Sequence, residues 1–382
     1  MKKTLVALAA LATVGAAFAQ SSVTLYGKID WEVVSKRATT AAGVTTNPGL
    51  QVNSAGLSGS RWGMKGSEDL GGGLSAIFDL QGGFSVDTGQ TAQCGGFNVV
   101  SANACTIANP VAAVIPGPTV AATASASAPR IFGRQAYAGL KGGFGQITAG
   151  RQYAPYDNAF GSVDAQGYTS NSAMGTVWAG GGHADGGGPG RIDNQLTYFT
   201  PALGGFNAQV SWAPGENAAP GVTASRYTGI GLGYANGPIN VQFANENMRT
   251  RSPLAAVVPG TGALGSTNAW LLGGSYDFGV AKPYLAYGRS NNAAKTIDKS
   301  WALGVAAPIG PVALSVGYAR ETSTLTGAAT SSNARGFGGQ VVYSLSKRTN
   351  VYTELMNVRT TAAGAATSAK ATQFGVGMRH DF

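Results

Sequence analysis

From residue 22 onward the apolar side chains return at every second position. Val23, Leu25, Ile29, Trp31 and Val33 alternate with Thr24, Tyr26, Lys28, Asp30 and Glu32; Phe206, Ala208, Val210 and Trp212 alternate with Asn207, Gln209 and Ser211; Ile239, Val241 and Phe243 alternate with Asn240, Gln242 and Ala244. The last segment repeats this, with Phe374, Val376, Met378 and Phe382 on one parity and Gln373, Arg379 and Asp381 on the other. Successive side chains of an extended chain point to opposite faces, so the period predicts two-faced strands rather than helices. The one long apolar run, Leu5 to Phe18, is too short to span a bilayer comfortably as a helix, and any membrane role therefore falls to strands.

The connections alternate in length. Tight-turn signals fall at Glu68 to Gly73, Gly142 to Gly145, Thr200 to Gly205, Asn236-Gly237-Pro238, Asp277 to Val280, Pro308 to Pro311 and Ser346 to Thr349. Between them lie longer Ala/Gly/Ser/Thr-rich stretches at 35–59, 85–129, 153–190, 214–225, 250–267, 290–298, 321–333 and 359–370. Seven turns and eight loops join sixteen strands. Sixteen strands of about ten residues, the length that crosses a bilayer when tilted, use about 160 residues and leave about 200 for connections. The predicted fold is all-β, a transmembrane antiparallel β-barrel of sixteen strands with short turns at one rim and long loops at the other. Backbone groups cannot stay unpaired in hydrocarbon, so the sheet closes, and at this strand number its interior holds water. A soluble sandwich array or an adhesin would share the alternation of side chains, but would not require turns and loops to alternate along the whole chain.

Composition narrows the reading. Of 382 residues 58 are Gly and 11% are charged, about twice the usual glycine share and under half the usual charge, which excludes a coiled coil or a charged disordered tail. Glycines such as Gly229, Gly231 and Gly233 suit a barrel wall that something approaches closely. Lys2-Lys3, the apolar run and Ala17-Phe18-Ala19 form the three regions of a secretory signal peptide over residues 1–19, leaving 20–382 as one barrel domain. Lys2 and Lys3 leave with it, so 26 Lys+Arg become 24 against 17 Asp+Glu, a net charge of +7. These cations are scattered among strands, which argues against nucleic-acid binding. Export to an oxidising compartment predicts that Cys94 and Cys105 pair, closing a loop of about a dozen residues. Two cysteines with the distant His183 and His380 lack metal-ligand spacing, and neither histidine has the partner a hydrolytic site needs. The glycine runs at 71–73 and 186–188 lack the context of a phosphate loop. The sequence thus implies neither an enzyme nor a cofactor.

Several segments together carry a family resemblance: Ser22-Val23-Thr24-Leu25-Tyr26-Gly27-Lys28, then 60–71 (SRWGMKGSEDLG), Arg134-Gln135-Ala136-Tyr137-Ala138-Gly139-Leu140-Lys141, Gly150-Arg151-Gln152-Tyr153, 191–198 (RIDNQLTY) and the terminal Phe382. The chain resembles the general diffusion porins of Gram-negative outer membranes, the sixteen-stranded trimeric family. The resemblance implies short periplasmic turns, long extracellular loops, and a third long loop, Tyr153 to Gly190, folded into the pore. It implies a constriction in which basic wall residues, here Lys28, Arg61, Arg134 and Arg191, face acids on that loop, here Asp157 and Asp164. Parity independently turns Lys28, Arg61 and Arg191 inward, the last because Ile192 then faces out; Arg134 shares parity with Phe132 and Leu140 and needs a local irregularity. Arg151, on outward parity, ranks below these four.

A guanidinium stays charged at any relevant pH, and in a narrow passage with low-dielectric walls its field is weakly screened. Four cations against two loop carboxylates predict passive diffusion of small hydrophilic solutes and ions with anions favoured. A substrate-selective porin for phosphate or an organic acid, with Tyr153, Tyr156 and Tyr168 as lumen aromatics, is the competing expectation. The resemblance further implies a homotrimer, latched by the second long loop, contacts with outer-membrane lipid and lipopolysaccharide, and recognition of Phe382 by the barrel assembly machinery.

Overall fold

The computed structural model describes residues 22–91, 130–178, 190–215, 226–250, 265–291 and 296–382. The segment 1–19, Cys94, Cys105 and His183 lie outside them. Within the described residues the strands are β1 (Ser22–Thr39), β2 (Thr45–Thr46), β3 (Leu50–Ser54), β4 (Arg61–Gly71), β5 (Leu74–Gly83), β6 (Gln135–Gly142), β7 (Gly145–Tyr153), β8 (Arg191–Phe199), β9 (Phe206–Pro214) and β10 (Arg226–Asn236). They continue as β11 (Ile239–Thr250), β12 (Gly265–Tyr276), β13 (Lys282–Asn291), β14 (Thr296–Ile309), β15 (Val312–Leu325), β16 (Ser331–Ser344), β17 (Thr349–Thr361) and β18 (Ala369–Asp381). Two short helices, α1 (Pro155–Val163) and α2 (Ala173–Trp178), interrupt the series.

From β4 onward each strand pairs antiparallel with its successor, and β1 closes the ring on β18 from Lys28↔Asp381 to Thr39↔Lys370. The ring has sixteen staves because β2, β3 and β4 together form one of them. β4 pairs with the lower part of β1, Ser22↔Ser67 to Lys28↔Arg61, while β3 and β2 pair with its upper part. The seven tight turns fall where the sequence predicts them. The first long loop does not: within 35–59 the stretches 35–39, 45–46 and 50–54 are strand, and the chain leaves the sheet at 40–44, 47–49 and 55–60. At 55–60 the sequence Ala-Gly-Leu-Ser-Gly-Ser offers few side chains to hold a ladder. It is held instead on Asp30, whose backbone N–H donates to Ser60 Oγ (2.9 Å), whose Oδ2 accepts Ser58 N–H (2.7 Å) and whose carbonyl accepts Ala55 N–H (2.9 Å).

The predicted parity holds around the wall. Val23 is 65% exposed, Leu25 64% and Phe206 62%, while inward Asp30 and Ser211 are buried. Large apolar groups open to the outside along the wall form the face that lipid covers, since no apolar face can be left to water over such an area. The terminal Phe382 exchanges backbone hydrogen bonds with Gly27 (3.0 and 3.1 Å). A Cβ on Gly27 would run into the Phe382 ring, which explains the glycine in that segment.

The apolar core lies inside the barrel. After β7 the chain turns inward: α1 packs along β9–β13 and α2 along β14–β17. Tyr156, Phe160, Val163, Met174, Val177 and Trp178 are buried against Ala244, Ala269, Ala286, Ala302, Ala319 and Ala334, one alanine from each of six consecutive strands. Small residues at these heights leave room for a helix against the wall. Pro155 opens α1 at a position where its missing N–H costs nothing.

Candidate functional site

Arg134, from the turn ahead of β6, and Arg191, from β8, meet at one tyrosine at the end of β7, with Arg61 of β4 close by. Arg134 donates from Nη2 to the Tyr153 hydroxyl (3.0 Å), Arg191 donates to the same oxygen, and the Arg191 guanidinium lies 4.2 Å from the centre of the Tyr153 ring. Arg61 is close enough for its charge to act on Tyr153 and on both other guanidinia. Lys28 stands beside it in the sheet, in register with Arg61 on one side and Asp381 on the other, with its Nζ 3.7 Å from Asp381. The four predicted wall cations are thus brought together.

Arg134 reaches the lumen by the irregularity that its parity requires. It lies in the turn ahead of β6 rather than on the strand, so strict alternation does not apply to it. Its backbone N–H donates to Gln81 O (3.0 Å) and its Nε to Gln81 Oε1 (2.7 Å); Gln81 donates on to Tyr26, and Tyr26 to Asp79. Among the described residues neither Arg61 nor Arg134 is ion-paired with a carboxylate. Positive charge therefore concentrates at this height.

Two expectations are corrected. Ile192 does not face out: it is 1% exposed and packs with Ala154, Ala213, Tyr227 and Met248 on the lumen side. The register jumps from Gly150↔Gln195 to Gln152↔Ile192, and Asn194 takes a φ of 56°, a bulge that inverts parity ahead of it. Arg191 reaches Tyr153 from this shifted position. Asp164 does not face the cations: its carboxylate accepts the Ser172 hydroxyl and the backbone N–H groups of Gln166 (3.1 Å) and Tyr168 (2.8 Å), tying together the turn between the helices.

Asp157 does sit toward the arginines. It is 4% exposed, accepts Tyr168 OH at 3.4 Å and the Gly190 N–H, and feels the charge of Arg191. Burial pushes its carboxyl up to about 6, against the pull of those partners, and burial raises Asp164 as well. Tyr156 is not a lumen-lining aromatic, being buried on α1, while the half-buried Tyr168 packs on Phe160 with ring centres 4.7 Å apart.

The main acidic residues escaped the sequence reading. Asp30, Glu32, Glu246, Asp298, Glu321 and Glu354 are all buried on the inner wall of β1, β11, β14, β15 and β17; the first two lie on the stave next to β4, the other four on staves away from β4, β6 and β8. Hydroxyls cover several of them: Tyr352 donates to Asp30 (2.6 Å), Tyr227 to Glu246 (3.2 Å), Ser290 to Asp298 (2.7 Å) and Ser300 to Glu321 (3.0 Å). Their inward parity is visible in the sequence; their burial is not. Among the described residues no cluster of His, Cys, Asp and Glu fits a metal ion.

A family model described as Gram-negative porin matches residues 4–363. An outer membrane porin protein of Bordetella pertussis is 31% identical, with all of both chains covered, and outer membrane porin protein 32 of Delftia acidovorans is 32% identical over the full length of both. Among solved structures, an anion-selective porin from Comamonas acidovorans superposes with a TM-score of 0.71 at 27% identity, covering 95% of this chain and all of that one. A closed sixteen-stranded barrel, a loop folded into its lumen and these full-length matches agree, and the chain belongs to the Gram-negative porins of the outer membrane.

Proposed function

We propose that the protein is a passive outer-membrane channel for small hydrophilic solutes and ions, favouring anions, with Arg61, Arg134 and Arg191 as its filter and Lys28 as a flanking cation. The observation that carries this is that Arg134 and Arg191 meet at Tyr153 with Arg61 in their field, and that among the described residues neither Arg61 nor Arg134 is ion-paired with a carboxylate. A charge pair at about 4 Å is worth about 4 kcal/mol at an effective dielectric near 20, ample to bias which ion occupies the passage. The similarity to a solved porin described as anion-selective supports the same sign. Asp157 tempers the field on the loop side, and Asp164 holds the loop's fold.

Diffusion down a gradient needs no cofactor and no chemical step, so the channel is not an enzyme. By its family the assembly is a homotrimer, set in outer-membrane lipid and lipopolysaccharide. Export by the 1–19 signal peptide, a Cys94–Cys105 disulfide in the second long loop, and Phe382 as the signal for barrel assembly complete the proposal. The test is the reversal potential of purified protein in a planar bilayer under a salt gradient, for wild type and for Arg61→Ala with Arg134→Ala. An anion-favouring potential that relaxes in the variant is expected; a variant as selective as wild type would remove these arginines from the filter.

A further inference from the structure

Arg151 pairs with Ala136 of β6, on the parity of the outward Ile147 and Leu140, yet its guanidinium is bound to the two segments that carry filter arginines. Nε donates to Gly133 O at 2.6 Å, immediately before Arg134; Nη1 donates to Arg191 O at 3.3 Å and to Asp193 Oδ1 at 2.7 Å. The bulge explains why a side chain is needed there. Where the register jumps from Gly150 to Gln152, Arg151 has no ladder partner on β8. Gly133 lies in the turn before β6 and has no side chain of its own with which to anchor. A planar fork with donors in fixed directions can bind all three acceptors at once; a lysine ammonium, a point charge on a flexible stem, cannot hold that geometry.

We infer that Arg151 is a positioning residue for the anion filter, clamping from outside the lumen the backbones that hold Arg134 and Arg191. The inference rests on the filter role proposed above. Asp193, which also binds Arg130 Nη1 at 2.9 Å, offsets the charge of Arg151, so the clamp adds rigidity to the filter and little to its field. The sequence motif Gly150-Arg151-Gln152-Tyr153 thereby acquires a division of labour: Tyr153 bridges the guanidinia on the lumen side and Arg151 fixes their backbones behind it.

The charge-neutral double variant Arg151→Gln/Asp193→Asn separates position from charge, because it removes one cation and one anion together. In planar bilayers its anion-over-cation permeability ratio is expected to fall by about twofold or more, as guanidinia free to drift lose a field that weakens with distance. Its channels are still expected to conduct, and its folded band on unheated SDS gels to persist. Arg151→Lys, which keeps the charge and loses the fork, is expected to shift the ratio in the same direction by less, and it gives the answer if the double variant does not assemble. An anion-selective wild type whose ratio survives in the double variant, or in Arg151→Lys where only that assembles, overturns the inference and leaves the proposed function standing. A wild type without anion preference overturns the proposed function, and the inference with it.

Discussion

Two glycines should decide whether the inserted loop stays seated. A Cβ added to Gly273 in β12 would lie 2.9 Å from Val163 Cβ and Cγ2 on α1, and one added to Gly336 in β16 would lie 2.9 Å from Val177 Cγ2 on α2. Carbon atoms rest at about 3.5–4.0 Å, so each methyl intrudes by more than half an ångström on a β-branched side chain that has one good rotamer in a helix. Overpacking of this kind costs about 1–3 kcal/mol per site. The two seats lie on different helices and share no partner, so Gly273→Ala with Gly336→Ala should disfavour the seated loop by about 2–6 kcal/mol. At 1.4 kcal/mol per tenfold, the balance between seated and displaced loop moves by about thirtyfold or more. Single-channel recording should show a larger and noisier conductance. Gly339→Ala on the same strand is the control, since its Cβ would meet nothing nearer than Val316 Cγ1 at 3.9 Å; alanine there should be neutral or mildly stabilising. A double variant with the conductance and noise of wild type would refute the account of how the loop is held.

Other consequences follow from the same geometry. Asp157, pushed up to about 6 by burial, should lose its charge as pH falls through that value, so anion preference should strengthen on acidification; because its folded pKa is raised, the protonated loop is also the better-seated one, and seating weakens as pH rises. Reversal potentials across this range, with Asp157→Asn as the flat reference, test it, and a wild type that tracks the reference would refute it. Tyr153→Phe removes an oxygen shared by two guanidinia, whose hydrogen bonds to neutral acceptors are worth about 1.5–3 kcal/mol; the freed donors should bind permeating anions more tightly, so conductance should saturate at lower salt. Gly27→Val should drive a side chain into the Phe382 ring and Arg61 O, and should lower the fraction migrating as a folded band on unheated SDS gels, with Gly27→Ala milder; equal folding of the two would count against the ring's role in closing the barrel.

Side-chain parity made the barrel legible because the wall meets lipid on one face and water or loop on the other, a constraint that acts on each residue independently of distant ones. Lys28 and Arg61 follow from it directly. Arg134 does not, because it sits in a turn, and Ile192 was misread because one bulge reverses the alternation. Such bulges depend on long-range pairing: nothing local to Asp193-Asn194 announces that Arg151 will stand opposite both. The extension of β1 to Thr39 and the inward break at 55–60 were hidden for the same reason, since Asp30, about 25 to 30 residues away in sequence, supplies the hydrogen bonds that the ladder lacks. Asp164 has the composition of a pore acid but the contacts of a loop brace.

The sign of selectivity depends on where charges gather as much as on their count. Inward parity places Glu246, Glu321 and Glu354 on the lumen wall just as it places Arg61, yet only the arginines meet at the passage. The loop makes the difference: Tyr156 on α1 lies in the field of both Glu246 and Glu321, and α2 packs on the strands that bear Glu321 and Glu354. Seating the loop therefore narrows the pore and at the same time covers its carboxylates. Loosening it through Gly273→Ala and Gly336→Ala should raise conductance and lower the anion-over-cation ratio together, because water and cations would reach acids now shielded. Conductance that rises at constant selectivity would show that the carboxylates stay covered without the loop, and that the arginines alone set the sign.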